Sequence, residues 1–302
     1  MTPVKWVYSF LEKYRYKMAA GLLMVTGIAL LTIVNPYISG RIVDDVITGG
    51  NYKLLPVLIG CLLGVVALKG ILRYASQVMF EICSQGVLYS MRDAVYRKLL
   101  QEDFSFYNKN RTGDLMSRQT GDMDAIRHFI AYIIYSVYEN ILLLSFALIM
   151  IFTVNVKLAL AMLVVLPFTA LTTYGQSKSV RPAFMKIRQQ FSSLNTFVQE
   201  NISGNRVVKA FAREDFEIEK FNKENDAYRD AELNAAAIWK KYVPIFEFLS
   251  NILTVVLMLY GGYMVIQGEI TMGNLVTVNG YLWMLTVPLR MAGWWINDIH
   301  RF

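Results

Sequence analysis

Six long apolar runs constrain the fold of this chain more than any other feature of its sequence. Such a run needs about 20 residues to cross the hydrocarbon core of a bilayer as a helix. The runs are continuous rather than alternating, which is typical of transmembrane helices and not of barrel strands. They cover residues 18–38, 54–71, 130–153, 158–173, 243–266 and 275–291. The sequence therefore predicts an all-α membrane protein with six transmembrane helices; a very large soluble core is the alternative.

The lysine and arginine residues indicate the orientation of the spans. Of the 30, 25 precede the first run, lie in residues 92–127 or 178–241, or follow the last run. Because short cytoplasmic loops carry the excess of positive charge, we expect a plasma-membrane protein with both termini in the cytoplasm. A signal peptide is the alternative for the first run, but Asn35-Pro36-Tyr37 ends that run without a small-residue cleavage site. Acidic residues are interspersed, so the net charge of +7 does not indicate nucleic-acid binding.

Two charged stretches, residues 73–128 and 174–241, are far longer than a connecting loop requires. Both show helical periodicity, and the first contains no proline. A helix over residues 54–101 would be about 70 Å long, so that roughly 40 Å of it stands outside the bilayer. It would also hold Cys61 and Cys83 too far apart for a disulfide. We expect both stretches to be cytoplasmic helical extensions that pack in water, although the second could instead lie on the membrane surface.

The far ends of these extensions interrupt the helical pattern. Residues 104–113 are polar, aromatic and rich in cap formers, and Thr112 or Asp114 can begin a returning helix. In the second extension, Gly204 is expected to break the helix before a short amphipathic turn. These ends are either contact points for a cytoplasmic partner or simply turns that close helical hairpins, and composition alone leaves both open.

Residues 106–122, FYNKNRTGDLMSRQTGD, resemble the first intracellular loop of ABC exporter transmembrane domains of the type IV (type I exporter) group. Residues 200–214, ENISGNRVVKAFARE, are similar to the second loop of that family, and residues 261–289 are similar to the segment that joins its last two spans. The resemblance extends in order over essentially the whole chain, as a single transmembrane domain of residues 1–302. Gln119 and Gly121 depart from the pattern, in which an apolar residue and Asn are common.

The resemblance implies that the two ends are coupling helices, near residues 107–114 and 209–216, that seat on nucleotide-binding domains. The implied contact residues are Tyr107, Asn108, Arg111, Gly113, Asp114, Lys209, Phe211, Arg213 and Glu214. Phe211 is the expected anchor, because an aromatic side chain at the centre of an interface is the usual hot spot. The family also implies a second transmembrane domain, as homodimer or heterodimer, around an alternating-access pathway.

The sequence contains no phosphate-binding G-x-x-x-x-G-K-[ST] loop, and no HExxH, GxSxG or CxxC spacing. We therefore predict no catalytic or metal site and no cofactor on this chain, with ATP and Mg²⁺ on a nucleotide-binding domain absent from it. We expect the chain to be the transmembrane part of a longer transporter; a naturally separate permease subunit is the alternative.

Polar and aromatic residues within the predicted spans are candidates for the substrate cavity, since such groups at membrane depth are often functional. They are Asn35, Arg73, Asn140, Glu247, Asn251, Asn279 and Trp283. Interhelical hydrogen bonds or interfacial positions are the structural alternatives. Two other function classes stay open: a nucleotide-gated channel or regulator of the same fold, and a polytopic membrane enzyme without a recognisable motif.

Overall fold

The computed structural model describes residues 3–299, which are almost entirely helical and contain no strand. The predicted all-α fold class is confirmed. The α-helices of this range are α1 (Pro3–Leu11), α2 (Arg15–Arg41), α3 (Leu55–Gln101), α4 (Phe104–Lys109), α5 (Thr112–Ser117), α6 (Met123–His128), α7 (Ile134–Val154), α8 (Val156–Leu163), α9 (Val165–Ala210), α10 (Glu214–Val256), α11 (Gly262–Ile266) and α12 (Met272–Ile299). Wider π-helical turns occupy Ile42–Thr48, Arg118–Asp122, Phe129–Ile133 and Leu257–Gly261.

Five continuous helical stretches of the described chain are long and apolar enough to cross a membrane. They are Lys5–Thr48, Tyr52–Gln101, Thr112–Val154, Val156–Ala210 and Glu214–Ile266, and each contains one of the predicted runs. The sixth run lies in α12, a 28-residue helix that packs against α2 and α7. The chain is therefore a multi-pass membrane protein.

The helix α3 runs without interruption for 47 residues, as the sequence predicted. At 1.5 Å per residue it is about 70 Å long, more than twice the thickness of a bilayer core. Its first turn contains Pro56, which is tolerated there because that amide would have no helical partner. Cys61 and Cys83 both lie on it and are free thiols.

The prolines in or near the long helices act in different ways. The chain between α8 and α9 is interrupted at Val164, and Pro167 follows within the first turn of α9. Proline has no amide hydrogen to donate to the carbonyl four residues earlier, here that of Leu163, which accounts for the break. Pro36 and Pro288, in contrast, lie inside α2 and α12 without ending them.

The chain divides into two compact units. The first combines the residues up to Leu166 with those from Ile252 onward, and the second is Pro167–Asn251. In the first unit, a cluster of Val87, Leu88 and Met91 from α3 packs against Met123 and Ile130 of the returning chain. This contact joins the outgoing and returning arms of the first extension.

The short helix α1 lies against the same cluster. Trp6 and Phe10, whose rings meet edge to face at 4.9 Å, pack on it together with Tyr14. A β-carbon on Gly86 would lie only 2.2 Å from the Tyr14 hydroxyl oxygen, so the close approach of Tyr14 depends on a glycine in α3. The N-terminal helix is thus fixed to the first extension.

The second unit is a helical hairpin of α9 and α10. The Ser179 and Tyr242 hydroxyls lie 3.3 Å apart, and the rings of Phe191 and Tyr228 approach to 5.7 Å. The small residues Ala231 and Ala235 are buried one turn apart on α10, where they leave room for a neighbouring helix. The second extension is therefore also an antiparallel pair of helices.

Candidate functional site

The first tip, which we define as residues 104–117, consists of two short helices rather than one. Asp103 caps α4, accepting hydrogen bonds from the Phe106 amide (2.9 Å) and the Ser105 hydroxyl (2.8 Å), and these two donors lower its pKa. Asn110 and Arg111 are extended, and α5 then begins at Thr112, one of the two predicted starts. The expected single coupling helix over residues 107–114 is not observed, because this extended pair divides it.

The predicted contact residues of the first tip are spread over both helices. Tyr107 and Asn108 lie in α4, Gly113 and Asp114 in the first turn of α5, and Arg111 between them. All five are exposed. The Tyr107 hydroxyl donates to the Leu99 carbonyl oxygen at 2.6 Å, which fastens α4 to the end of α3. Tyr107 therefore has a structural bond of its own in addition to the predicted contact.

Phe104 is a candidate that the sequence reasoning missed. Its side chain is 89% exposed, at the very beginning of α4. Single exposed apolar side chains are common on protein surfaces, so Phe104 is a candidate because of its place at the tip and not because of its exposure alone. The signal was present in the aromatic composition of residues 104–107, but the family resemblance begins only at Phe106.

The second tip, defined as residues 209–216, is a tight reversal between α9 and α10. The Arg213 amide donates to the Val208 carbonyl (3.0 Å) and the Ala212 amide to that of Lys209 (3.3 Å). Ala212 has a φ of 47°, so the segment forms a Schellman motif with alanine where glycine is usual. No separate coupling helix forms in this described segment.

The predicted helix break at Gly204 is wrong. α9 passes through Gly204 and continues to Ala210. Glycine permits a left-handed conformation but does not require it, and its cost inside a helix is only about 1 kcal/mol. The helix instead ends six residues later, at Ala210, where the two Schellman hydrogen bonds close around Ala212.

The side chains of the second tip are arranged around Phe216. Lys220 lies 4.4 Å and Arg213 5.8 Å from the centre of its ring. Phe211 makes no such contact in the described structure and is 73% exposed. Lys209 lies in the last turn of α9 and Glu214 in the first turn of α10. In each case the charge of the side chain interacts favourably with the helix dipole. These two charges therefore have a local role besides any contact.

An ion pair joins α3 and α7 within or next to the predicted spans. The Arg73 guanidinium donates to both oxygens of Glu139, at 2.6 Å and 2.5 Å. The Glu139 side chain is only 10% exposed and that of Arg73 33%. Counted from Leu55 at the start of α3 and from Val154 at the end of α7, the two residues lie about 22–27 Å along their helices, within the roughly 30 Å that a bilayer core spans.

Glu139 was also missed by the sequence reasoning, although Arg73 was predicted. It is the only charged residue within residues 130–153. The rule that selected Arg73, that an ionisable group inside a span is a functional candidate, applies equally to it. Asn140, the predicted neighbour, instead donates to the Ser136 carbonyl on its own helix at 2.9 Å.

The remaining predicted cavity residues lie on three helices. Asn279 and Trp283 are exposed and lie one turn apart on α12, and Glu247 and Asn251 are exposed one turn apart on α10. Asn35 is half-buried on α2, and its side-chain oxygen has no hydrogen-bond partner among the described residues. Asn279 and Trp283 thus share one face of α12, and Glu247 and Asn251 share one face of α10.

The outer ends of α2 and α12 are joined by Asp44, which the sequence reasoning did not select. Its carboxylate accepts from the Thr271 hydroxyl (2.5 Å) and from the Gly273 amide (2.7 Å). A β-carbon on Gly273 would lie 2.2 Å from the Gly40 carbonyl oxygen, so only glycine allows this approach. We call these four residues the outer contact.

Further along the same pair of helices, the Tyr281 hydroxyl donates to the Ile33 carbonyl oxygen at 3.0 Å. Gly280 packs directly on Pro36, because a β-carbon there would come within 2.6 Å of the proline ring. Proline disturbs the backbone hydrogen bonds of the preceding turn, so a buried hydroxyl at this position satisfies a carbonyl in the turn before Pro36.

A groove of about 960 Å³ opens in the second unit. It is lined by Pro182, Met185, Lys186, Arg188, Gln189, Ser192, Ser193, Thr196, Phe197, Glu200 and Glu224. All of these lie in the extension of residues 174–241, outside the predicted spans. The groove therefore does not coincide with any predicted cavity residue.

Comparison with known proteins gives a consistent result. Residues 18–289 match the family model described as the ABC transporter transmembrane region. An uncharacterized ABC transporter ATP-binding protein of Bacillus subtilis, YknU, is 37% identical over 94% of this chain and 48% of its own length. The ATP-dependent lipid A-core flippase of Syntrophus aciditrophicus is 27% identical over 91% of the chain and 46% of its own length.

The multidrug resistance-like ATP-binding protein MdlA of Escherichia coli is likewise 27% identical, over 96% of this chain and 49% of its own length. The chain thus spans about half the length of the curated relatives it matches. The similarity covers the spans and both extensions, and therefore both tips.

Proposed function

This chain belongs to the ABC transporter transmembrane family, and from that premise we propose that it forms the membrane pathway of an ATP-driven exporter. ATP and Mg²⁺ would bind to nucleotide-binding domains, either in a further part of the protein or in a separate chain. A second transmembrane domain, identical or different, would complete the pathway. Relatives named as a lipid flippase and as multidrug resistance-like proteins favour an amphipathic substrate.

The observation that carries this proposal is the length and continuity of α3. It joins residues at the outer end of the first unit to the first tip without a break over about 70 Å. A continuous helix can transmit a displacement along its axis, whereas a flexible loop would absorb it. The asymmetry of lysine and arginine supports a cytoplasmic location for both tips and for both termini.

The exposed aromatic side chains at the tips are the contacts that we propose for the nucleotide-binding domains. Phe211 stands in the reversal between α9 and α10, and Phe104 at the start of α4, each largely open to solvent. An aromatic anchor is the usual hot spot of a small interface, and the charged residues Arg213 and Glu214 follow Phe211 closely in the chain. Because Glu214 also suits the dipole of α10, Phe211 is the sharper test.

For the pathway itself, we propose two polar features as the first places to contact substrate. One is the Arg73–Glu139 pair, and the other is the face of α12 that presents Asn279 and Trp283. Both lie within or next to predicted spans, where polar groups are rare. Alternating access would expose them to the two sides in turn.

The experiment uses the complete transporter, with its nucleotide-binding domains, in proteoliposomes. Phe211→Ala should reduce the translocation of a fluorescent phosphatidylethanolamine or of ethidium per ATP hydrolysed, because loss of a hot-spot side chain weakens an interface by at least about 2 kcal/mol, roughly 30-fold in affinity. Ile202→Ala is the matched control, since Ile202 is also 73% exposed but lies about two turns below the tip. Equal coupling in both variants and the wild type would refute the assignment of the second tip.

A further inference from the structure

Two hydrogen bonds of opposite direction join the arms of the first extension at one point. The Gln119 side-chain amide donates to the Arg92 carbonyl oxygen at 2.9 Å. In return, the Arg92 Nε–H donates to the Gln119 carbonyl oxygen at 3.3 Å. Arg92 lies on the outgoing helix α3, and Gln119 lies in the π-helical turn Arg118–Asp122 of the returning chain. We call this pair the arm link.

The arm link lies between the apolar contact of the extension and its tip. Met123 and the residues Leu88 and Met91 form the buried contact on the membrane side of it. On the far side, α3 continues for about 14 Å, to Gln101. In the described chain, no further hydrogen bond joins this last part of α3 to the returning residues 110–118; the Tyr107 bond comes from α4. Among the described residues, the arm link is thus the outermost hydrogen-bonded connection between α3 and the returning chain after α4.

The geometry of the two bonds resists motion that an apolar contact would permit. Burial of apolar surface is non-directional, so packed arms can shift with little loss of free energy. A hydrogen bond weakens steeply when its angle or distance changes. Because each residue is donor in one bond and acceptor in the other, displacement of the arms in either direction along α3 stretches at least one of them.

The chain carries this link at a cost in stability. The side-chain oxygen of Gln119 is buried without a hydrogen-bond partner in the described structure. Leaving a buried acceptor unsatisfied is unfavourable, and an apolar side chain at this position would avoid the loss. A residue kept only to fill space would therefore be apolar, and the directional bonds are what glutamine adds.

We propose that Gln119 and Arg92 are positioning residues for coupling: they hold α5, the returning part of the first tip, at a fixed register on α3, while the Tyr107 bond holds α4, so that movement of the tip displaces α3. This inference rests on the proposed exporter function and deepens it for the first tip. Without the link, the last turns of α3 and the returning chain slide past each other, and part of the displacement at the tip is lost before it reaches the spans.

The test measures how nucleotide shifts the outer ends of the spans. Spin labels are placed on Asn51 and Gln267, which are both exposed next to the outer contact, in the complete transporter in nanodiscs. Their distance distribution is recorded without nucleotide and after trapping with ATP and vanadate. The two bonds can be removed separately, because each uses one side chain and the other residue's backbone: Gln119→Leu deletes the first and Arg92→Met the second.

Each single variant should lower the nucleotide-induced population ratio about 2- to 10-fold, the equivalent of one net hydrogen bond, and the double variant should lower it further. ATP hydrolysis without substrate and the thermal midpoint should stay close to wild type, which a general loss of structure would not allow. Arg92→Lys, which keeps a donor, and Thr120→Val, which loses only a local bond to Met116, should behave as wild type.

If Gln119→Leu does not fold, Gln119→Glu replaces it, since the carboxylate keeps the size and cannot donate to the Arg92 carbonyl. A double variant whose distances shift as fully as those of the wild type overturns the positioning role and leaves the exporter function intact. A wild type whose distances do not respond to ATP and vanadate overturns the proposed function, and this inference with it.

Discussion

Removal of one partner of the Arg73–Glu139 pair should destabilise the protein far more than removal of both. Glu139 is 10% exposed and bound at both oxygens, so Glu139→Leu leaves the guanidinium of Arg73 at membrane depth without its counter-ion. Breaking a buried pair in this way typically costs 3–5 kcal/mol. Because Arg73 retains 33% exposure and a long side chain that can reach water, we expect the lower end, about 3 kcal/mol.

The double variant Arg73→Met/Glu139→Leu tests the cause of that loss. It fills the space with apolar side chains of similar size and leaves no unpaired charge. Replacement of a whole buried pair is often neutral or stabilising, so the double variant should recover most of the 3 kcal/mol. The coupling free energy in the mutant cycle should therefore be large and of opposite sign to the single losses.

The assay is equilibrium unfolding of the purified protein in mixed micelles by SDS, followed by tryptophan fluorescence. Lys157–Glu269 provides the control pair, because its side chains are 64% and 40% exposed and such surface pairs contribute about 0–1 kcal/mol. Glu269→Leu should thus change the unfolding free energy little. If Glu139→Leu is no worse than Glu269→Leu, or if the double variant is as unstable as the single ones, our reasoning about the buried pair is refuted.

Three further predictions concern the ends of helices. Ala212→Gly should stabilise the second extension by about 1 kcal/mol in the same SDS titration, because glycine adopts the positive φ of Ala212 without steric conflict; no gain would argue against the Schellman geometry. Gly273→Ala should raise hydrogen exchange at the outer contact, since its β-carbon overlaps the Gly40 carbonyl, whereas unchanged exchange would show that these helices are further apart. Protonation of Asp103 should loosen α4. Because the pKa of Asp103 is lowered in the folded state, its capping contribution is complete above the ordinary aspartate pKa and is lost as the pH falls through the lowered pKa. Hydrogen exchange at the Phe106 amide measures this loss, and Asp103→Asn is the variant for comparison.

Much of the architecture was predictable from local pattern. Hydrophobic runs long enough for a bilayer predicted the helical membrane class, and absence of proline predicted the continuity of α3 to within a residue at its outer end. Cap formers predicted that a helix begins at Thr112 or Asp114, and α5 begins at the first of these. These features depend on interactions between residues near in sequence, so composition and periodicity are sufficient to find them.

The sequence by itself thus determined which segments are apolar enough for lipid and which are suited to water, the number of apolar runs and the existence of two long extensions. Tertiary structure alone decided which groups meet across them. Glu139 stands 66 residues from Arg73 and Asp44 227 from Thr271, and no local pattern links such partners. The end of α9 at Ala210 rather than Gly204 was decided by which backbone groups could close their hydrogen bonds. Periodicity assigns a residue to a helix face, but a hydrogen bond requires two specific atoms within about 3 Å, and only the packed helices bring them there.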